Sequence, residues 1–241
     1  MPNSFIGIIP SRYASTRFPG KPLAIIDGKS MIERVYIQSK LSASLAKVIV
    51  ATDDERIYNH VKDFGGEVVM TSSSHQSGTD RCAEVVSNLE ESFDVAINIQ
   101  GDEPYIQPEQ IDLICSCFEK NETQIATLIK QTTNKTEIES PNIVKAVVAQ
   151  NLKALYFSRH AIPFNRNNFD DIIYYKHIGI YAYRTTILSL LSKLPVSLLE
   201  RAESLEQLRW LENGFPIQTA ITQYETIAVD TPADLEKLKL K

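Results

Sequence analysis

Three short segments carry side chains suited to a phosphate chain and a hard cation. The first is PSRYASTRFPGKP at 10–22, directly after an apolar run. It sets Arg12, Arg17 and Lys21 among Ser11, Ser15, Thr16 and Gly20. Small residues let backbone N–H groups approach an anion, and the cations neutralise it. A triphosphate calls for this mixture, and a solvated basic loop has the same composition. The segment holds neither G-x-x-x-x-G-K-[ST] nor G-x-G-x-x-G, so it is not a P-loop or a dinucleotide fingerprint. The second segment is Gln100-Gly101-Asp102-Glu103-Pro104. A carboxylate on a tight turn suits Mg²⁺, which takes oxygen ligands and shares them with substrate phosphates. Gly-Asp and Pro also favour a plain turn. The third is Val229-Asp230-Thr231-Pro232, where Asp230 precedes a helix start, a favourable place for any acid. Taken jointly, Asp102 and Asp230 supply two carboxylates for a metal facing a basic loop. Nucleotidyl transfer needs that arrangement, with cations spreading charge over the α-phosphate and the leaving pyrophosphate.

Two further groups are less specific. Ser72–Arg81 (SSSHQSGTDR) is rich in hydroxyls and leads into a helix. It suits either base recognition or an ordinary polar loop. A later group comprises Arg159, His160, Arg166, His177, Tyr181, Glu206, Gln207 and Arg209. Arg suits a carboxylate, and Glu, Gln, His and Tyr suit sugar hydroxyls. Glu206 and Arg209 also fit a solvated i,i+3 pair. The four histidines show no metal-ligand spacing.

The elements that must position these residues alternate. Phe5–Ile9, Lys47–Asp53, Glu67–Thr71 and Asp94–Ile99 are β-branched, nearly continuous apolar runs, as expected of strands covered on both faces. Helical patterns lie between them. One opens at Ser30 with Glu33 three residues on, a capping box. Others cover about 54–64 and 79–89, and another starts at Pro108. This order predicts a mainly parallel sheet with helices on both faces, and parallel sheets bind ligands beyond their carboxyl ends. Near residue 140 the pattern changes. Asn142–Ala149 and Lys153–Ser158 read as a hairpin, and His177–Tyr183 as a further strand. One helix is expected over Ser197–Asn213, ending at Gly214. Strands at Ile217–Thr222 and Thr226–Val229 and a helix opening at Thr231-Pro232 complete the chain. The whole of 1–241 is expected to form one domain, with 142–184 a β-rich piece.

Composition narrows the class. A net charge of -5 with no long basic stretch argues against a general nucleic-acid coat. The 43% hydrophobic content suffices for a sizeable core. No apolar run approaches the roughly 20 residues of a membrane span. The first apolar run is too short for a signal peptide and lacks a basic region before it. Cys82, Cys115 and Cys117 read as buried thiols in a reducing compartment. A cytoplasmic protein is expected.

The chain resembles the 3-deoxy-manno-octulosonate (Kdo) cytidylyltransferases. The matching stretches are IIPSRYASTRFPGKPL at 8–23, IVATDDERI at 49–57 and GGEVVMTSSSHQSGTDRCAEVV at 65–86. They continue with NIQGDEP at 98–104, ALYFSRHAIPF at 154–164, HIGIYAYR at 177–184, LEQLR at 205–209 and VDTPADLE at 229–236. Sialic acid cytidylyltransferases have a Gly- and Lys-rich first loop that is absent here. The resemblance implies a nucleotide-diphospho-sugar-transferase-like α/β fold, Mg²⁺ dependence, a homodimer built on the β-rich piece, and transfer of CMP from CTP to Kdo in lipopolysaccharide synthesis. By the same resemblance, Arg12 and Lys21 hold CTP phosphates, and Asp102 and Asp230 ligate Mg²⁺. Ser15, Thr71, Ser72, Ser77, Arg81 and Gln100 complete the CTP site. Gln100, Arg159, His177, Tyr181, Glu206 and Gln207 line the sugar site. Ser11 stands where Ala is commoner, and 165–175 is shorter than in some relatives, which leaves Arg166 without a clear counterpart. Two rivals remain at this point: an enzyme for an 8-amino Kdo analogue, and a catalytically silent nucleotide-binding regulator.

Overall fold

The computed structural model describes residues 3–14, 18–167, 169, 172–225 and 228–239. In chain order the elements begin with β1 (Phe5–Ser11), β2 (Ile25–Ile26), β3 (Lys29–Ser30), α1 (Met31–Lys40), β4 (Lys47–Thr52), α2 (Glu55–Asp63), β5 (Val68–Met70) and α3 (Gly78–Asn88). Then come β6 (Val95–Asn98), α4 (Pro108–Ser116), β7 (Ile125–Thr132), α5 (Lys135–Glu139), β8 (Lys145–Val148) and β9 (Ala154–Ser158). The last are β10 (Tyr174–Arg184), α6 (Thr185–Leu191), α7 (Leu198–Glu203), α8 (Glu206–Glu212), β11 (Ile217–Ile221) and α9 (Pro232–Lys239).

Alternation of side chains dictates the layers. In β4, Val48 and Val50 join one buried cluster, while Ile49 and Ala51 join another on the opposite face. The first cluster takes Ile32 and Val35 of α1, Ile57 and Val61 of α2, and Ile111 and Ile114 of α4. The second takes Cys82 and Val85 of α3, Leu188 of α6, and Leu208 and Trp210 of α8. Helices therefore cover both faces of one sheet, in the order β11-β7-β10-β6-β1-β4-β5. On this path β10 alone runs antiparallel to its neighbours. The stretch 142–184 takes the form of a β8–β9 hairpin paired to β10, and β10 lies inside the sheet. From β1 the chain winds out to β4 and β5, then returns to place β6 on the other side of β1. The crevice between β1 and β6 is thus the switch point, where such sheets bind ligands.

Local signals act as the sequence predicts at several ends. Ser30 caps α1 by accepting from the Glu33 N–H at 3.2 Å, but Glu33 turns to Lys29 at 2.7 Å and leaves the box half formed. Pro108 opens α4. Two expectations fail. Pro10 does not end β1, which runs on to Ser11 in parallel register with β4. The helix expected over Ser197–Asn213 is two helices, broken at Ser204 in the left-handed conformation (φ 52°). The physical cause is the end of β9. The Glu203 carboxylate accepts from the Ser158 hydroxyl at 2.6 Å and the Arg159 N–H at 2.9 Å. The Arg159 guanidinium donates to the carbonyls of Glu203, Pro141 and Ser204, at 2.7, 3.0 and 3.3 Å. Carbonyls at the end of α7 thus find a side-chain partner instead of another helical turn. Of the strand expected over Thr226–Val229, Thr226 and Ile227 lie outside the described residues, and the remainder is not in a strand.

The break supplies a test. A non-glycine left-handed residue carries strain that glycine lacks. Ser204→Gly is expected to stabilise the fold by about 0.5–1 kcal/mol, partly offset by the freer unfolded chain. Urea unfolding should show a higher midpoint with an unchanged slope.

Candidate active site

The carboxyl ends of β1, β4, β5 and β6 all reach one edge of the sheet, because these strands are parallel. Two adjoining cavities open there. The first, about 260 Å³, is lined by Arg12, Lys21, His75, Ser77, Arg81, Gln100, Asp102 and Asp230, among others. The second, about 220 Å³, is lined by Thr79, Asn98, Gln100, Tyr181, Tyr183 and Glu206, among others. Pro10, Gly78, Gln100 and Gly101 border both. At Gly101 the turn after β6 passes so close to β1 that a Cβ would stand 2.9 Å from the Pro10 carbonyl oxygen.

Charge is concentrated in the first cavity. Lys21 sits on a single 3-10 turn, Lys21–Leu23, preceded by left-handed Gly20. Its ammonium lies 2.7 Å from Asp102 Oδ2 and 3.7 Å from Asp230 Oδ1. Two carboxylate oxygens on different segments therefore converge on one cationic position. Asp230 is brought there by the Val229 N–H, which donates to the Asp102 carbonyl at 2.9 Å. Arg81 is buried, donating to Thr71 Oγ1 and, at 3.0 Å, to Asp53 Oδ2 at the end of β4. His75 bonds Glu84, whose carboxylate also accepts from the Ser72 N–H at 2.9 Å, tying the polar loop onto α3. Ser77 and Asp80 form a reciprocal capping box at the start of α3.

The second cavity is polar without positive charge: no Lys, Arg or His is among the described residues that line it. Glu206 accepts from Thr79 Oγ1 and from Arg209, both at 2.9 Å. Burial raises its carboxyl above the usual range despite those two partners. Burial also pushes the Tyr181 hydroxyl well up and the His177 imidazole down to about 3, so His177 is neutral at any ordinary pH. His177 bonds Thr127 Oγ1 at 3.0 Å, and its ring stands 5.3 Å from that of Tyr181.

The structure thus gathers Arg12, Lys21, Ser77, Arg81, Gln100, Asp102 and Asp230 around the first cavity, and Gln100, Tyr181 and Glu206 around the second. It leaves others aside. Thr71 stands behind Arg81, and Ser72 pairs with Ser74 at 2.7 Å. Gln207 is buried off the cavity wall, and His177 reaches it only through Tyr181. Arg159 does not line either cavity, because its donors are spent on the α7 terminus. Ser15, Thr16 and Arg17 lie outside the described residues. Sequence reasoning missed Asn98, a polar residue in the otherwise apolar strand VAIN, although that interruption was a readable signal. It also missed Asp53 and Tyr183, while Gly78 and Thr79 fall within the Ser72–Arg81 segment it singled out.

The comparisons with known proteins agree with this geometry. Residues 6–227 match the family model described as cytidylyltransferase, so the chain is a nucleotidyltransferase. A 3-deoxy-manno-octulosonate cytidylyltransferase from Parabacteroides distasonis is 56% identical, covering 97% of this chain and 96% of that protein. One from Bacteroides thetaiotaomicron is 55% identical, covering 96% and 95%. A solved structure of CMP:2-keto-3-deoxy-manno-octonic acid synthetase complexed with CTP superposes with a TM-score of 0.93 at 45% identity, over 98% of this chain and 97% of that one. The 4-diphosphocytidyl-2C-methyl-D-erythritol synthase of Anaerococcus prevotii, 11% identical with a TM-score of 0.64 over 98% and 97%, shares the fold alone. The chain belongs to the 3-deoxy-manno-octulosonate cytidylyltransferase family.

Next to Asp102, Glu103 is 5% exposed, and its Oε2 has no hydrogen-bond partner. Burial, with a smaller push from Asp102, raises its carboxyl to about 8. The folded state therefore holds a proton between about pH 4.5 and 8 that the unfolded chain releases. Stability linked to Glu103 is full below that window and is lost as pH rises through it. Glu103→Gln is expected to flatten the fall in unfolding free energy between pH 5 and pH 8, by about 1 kcal/mol or more. An undiminished slope in urea titrations at the two pH values would refute this.

Proposed function

We propose that the protein transfers CMP from CTP to 3-deoxy-D-manno-octulosonate, releasing pyrophosphate, and that it serves lipopolysaccharide assembly. The observation that carries this reading is the pair of joined cavities at the β1/β6 switch point, one cationic and one polar without cations. The triphosphate occupies the first and the sugar the second. Their common border, at Pro10, Gly78, Gln100 and Gly101, is where the α-phosphorus meets the anomeric hydroxyl. Arg12 and Lys21 hold the phosphates. Asp102 and Asp230 fit a magnesium ion, since their oxygens already converge on one cation. Such an ion supplies Lewis-acid polarisation of the phosphate oxygens. The described residues act by placement and charge. The cations draw the triphosphate against β1, and the strand ends fix its α-phosphorus over the sugar site. Lys21 stabilises negative charge as pyrophosphate departs. Tyr181, Glu206 and Gln100 take sugar hydroxyls, with Glu206 held in place by Arg209.

The protein works as a homodimer in the cytoplasm, where nucleoside triphosphates are held. Leu155, Phe164, Phe169 and Ile173 expose apolar surface along the β-rich stretch, which suits a second copy. No helix among the described residues is long and apolar enough to cross a membrane.

The direct test is pyrophosphate release with CTP, Mg²⁺ and a panel of acidic sugars. Kdo should be used, sialic acid should not, and CTP should exceed ATP and GTP by at least about tenfold in kcat/KM. Turnover with sialic acid in preference to Kdo would overturn the reading. Asp102→Asn should lower kcat about 100-fold or more while leaving the thermal midpoint near that of the wild type. Lys21→Ala should lower kcat more than it raises the KM for CTP, because its contact strengthens in the transition state. An unchanged kcat with a raised KM would restrict Lys21 to binding.

A further inference from the structure

The loop that carries Arg12 and Lys21 has a further cation beside it. Arg56 lies in the first turn of α2, just after β4, and lines neither cavity. Its guanidinium carbon stands 3.3 Å from the centre of the Tyr13 ring. Planar guanidinium groups stack on aromatic faces in this way. Asp54 fixes the plane of the fork, accepting from Nε at 2.9 Å and from Nη2 at 2.6 Å. The same carboxylate caps α2 by accepting from the Arg56 backbone N–H at 3.0 Å. Hydrogen bonding to Arg56 holds the Asp54 carboxyl below the usual carboxylate range, so the pair stays charged at neutral pH. A cation in the first turn works against the helix dipole, so α2 by itself does not call for Arg at this place.

Tyr13 is joined in turn to the far end of the loop. Its carbonyl accepts from the Gly20 N–H at 3.0 Å. Gly20 is left-handed (φ 71°), and a Cβ there would stand 3.0 Å from Tyr13 Cζ and 3.1 Å from its hydroxyl oxygen. The ring therefore lies against the Gly20 backbone while it carries Arg56. Tyr13 directly follows Arg12, and Gly20 directly precedes Lys21. Each phosphate-binding cation is thus one peptide bond from this contact. The helix α2 also packs against the turn Lys21–Leu23, and Tyr13 rests on the cluster that holds Ile57 and Val61 of α2.

We propose that Arg56 is a positioning residue for triphosphate binding, stacked on Tyr13 so that Arg12 and Lys21 are set for the phosphates before CTP arrives. This inference rests on the function proposed above. A loop ordered only by its ligand takes the cost of that ordering out of the affinity, and a loop ordered in advance does not. The Arg56 side chain is 59% exposed, so its ion pair adds little to global stability. Its effect falls on the loop instead.

The test is a double-mutant cycle read by calorimetry with CTP and by steady-state kinetics with CTP and Kdo. Arg56→Ala should weaken CTP affinity and raise the KM for CTP about fivefold, the scale of an exposed cation–π contact, with the KM for Kdo within about twofold and the urea midpoint unchanged. Tyr13→Leu should weaken CTP binding by a similar factor, and the double variant should be no weaker than either single one. Arg56→Lys keeps the charge but lacks the planar fork, so it should retain most of the loss. Full recovery of CTP affinity in Arg56→Lys, or additive losses in the double variant, would show Arg56 acting on the phosphates by charge alone and overturn the positioning role. Wild-type CTP affinity in Arg56→Ala overturns it too, as does a lowered urea midpoint with an equal rise in both KM values. If Tyr13→Leu does not fold, the two Arg56 variants decide. Failure of the wild type to bind CTP at all overturns the proposed function, and the positioning role with it.

Discussion

One ammonium facing two carboxylates ties together three parts of the chain that are remote in sequence. Lys21 belongs to the loop after β1, Asp102 to the turn after β6, and Asp230 to the return before α9. The side chains are 16%, 27% and 43% exposed, so each pair adds about 1 kcal/mol at most. Their importance lies in position rather than stability. Two bare carboxylates would repel, and Lys21 lets them face each other. The segments are held by apolar burial: Pro22 next to Lys21 is buried, and Val229 next to Asp230 packs with Ile26, Met31 and Leu235. Core packing thus sets the backbone, and the backbone sets the charge pattern at the sheet edge.

How much of this was legible in the sequence depends on the range over which each side chain is determined. Lys47–Thr52 and Val95–Asn98 declared themselves as buried strands because both faces of each are apolar. The residues that follow them, such as Asp102, were placed by that alone. Strand β7 was not foreseen, since Thr127, Lys130 and Gln131 interrupt its apolar run, yet its first five residues are buried. The Thr127 hydroxyl is satisfied by the carbonyls of Ile178 and Ile180 on β10, a partner remote in sequence. Arg159 lies away from both cavities for a related reason. A long side chain points where its hydrogen bonds are, and the acceptors of Arg159 belong to α7 and to Pro141. The same contacts broke the helix at Ser204, so one tertiary interaction explains both departures.

The two cavities differ in how they offset burial. In the first, charge meets charge: Arg81 with Asp53, and Lys21 with Asp102 and Asp230. In the second, burial favours neutral forms, and His177 and Tyr181 are held uncharged. Burial raises the Glu206 carboxyl as well, although it is the one side chain there with an Arg partner, itself fixed by Glu200 at 3.1 Å and the Leu194 carbonyl at 2.9 Å. A polar, neutral wall discriminates by hydrogen-bond pattern, because each donor left unpaired by a wrong ligand costs about 1–3 kcal/mol. A charged wall attracts any polyphosphate. The second cavity is therefore suited to discriminating by hydrogen-bond pattern, and the first to attracting anions.

Two of the four residues that border both cavities are glycines. A Cβ on Gly101 would strike the Pro10 carbonyl at 2.9 Å, so only glycine lets the β6 turn lie against β1. At Gly78 the fit is tight rather than exclusive, since a Cβ would lie 3.3 Å from the end of the Asn98 side chain. Pro10 extends this thin boundary without adding a polar group of its own. In-line displacement needs the attacking oxygen about 3–3.5 Å from phosphorus, which no intervening side chain permits. The parallel strands β1 and β6 bring the two cavities to one edge, and the glycine after β6 keeps the boundary between them thin.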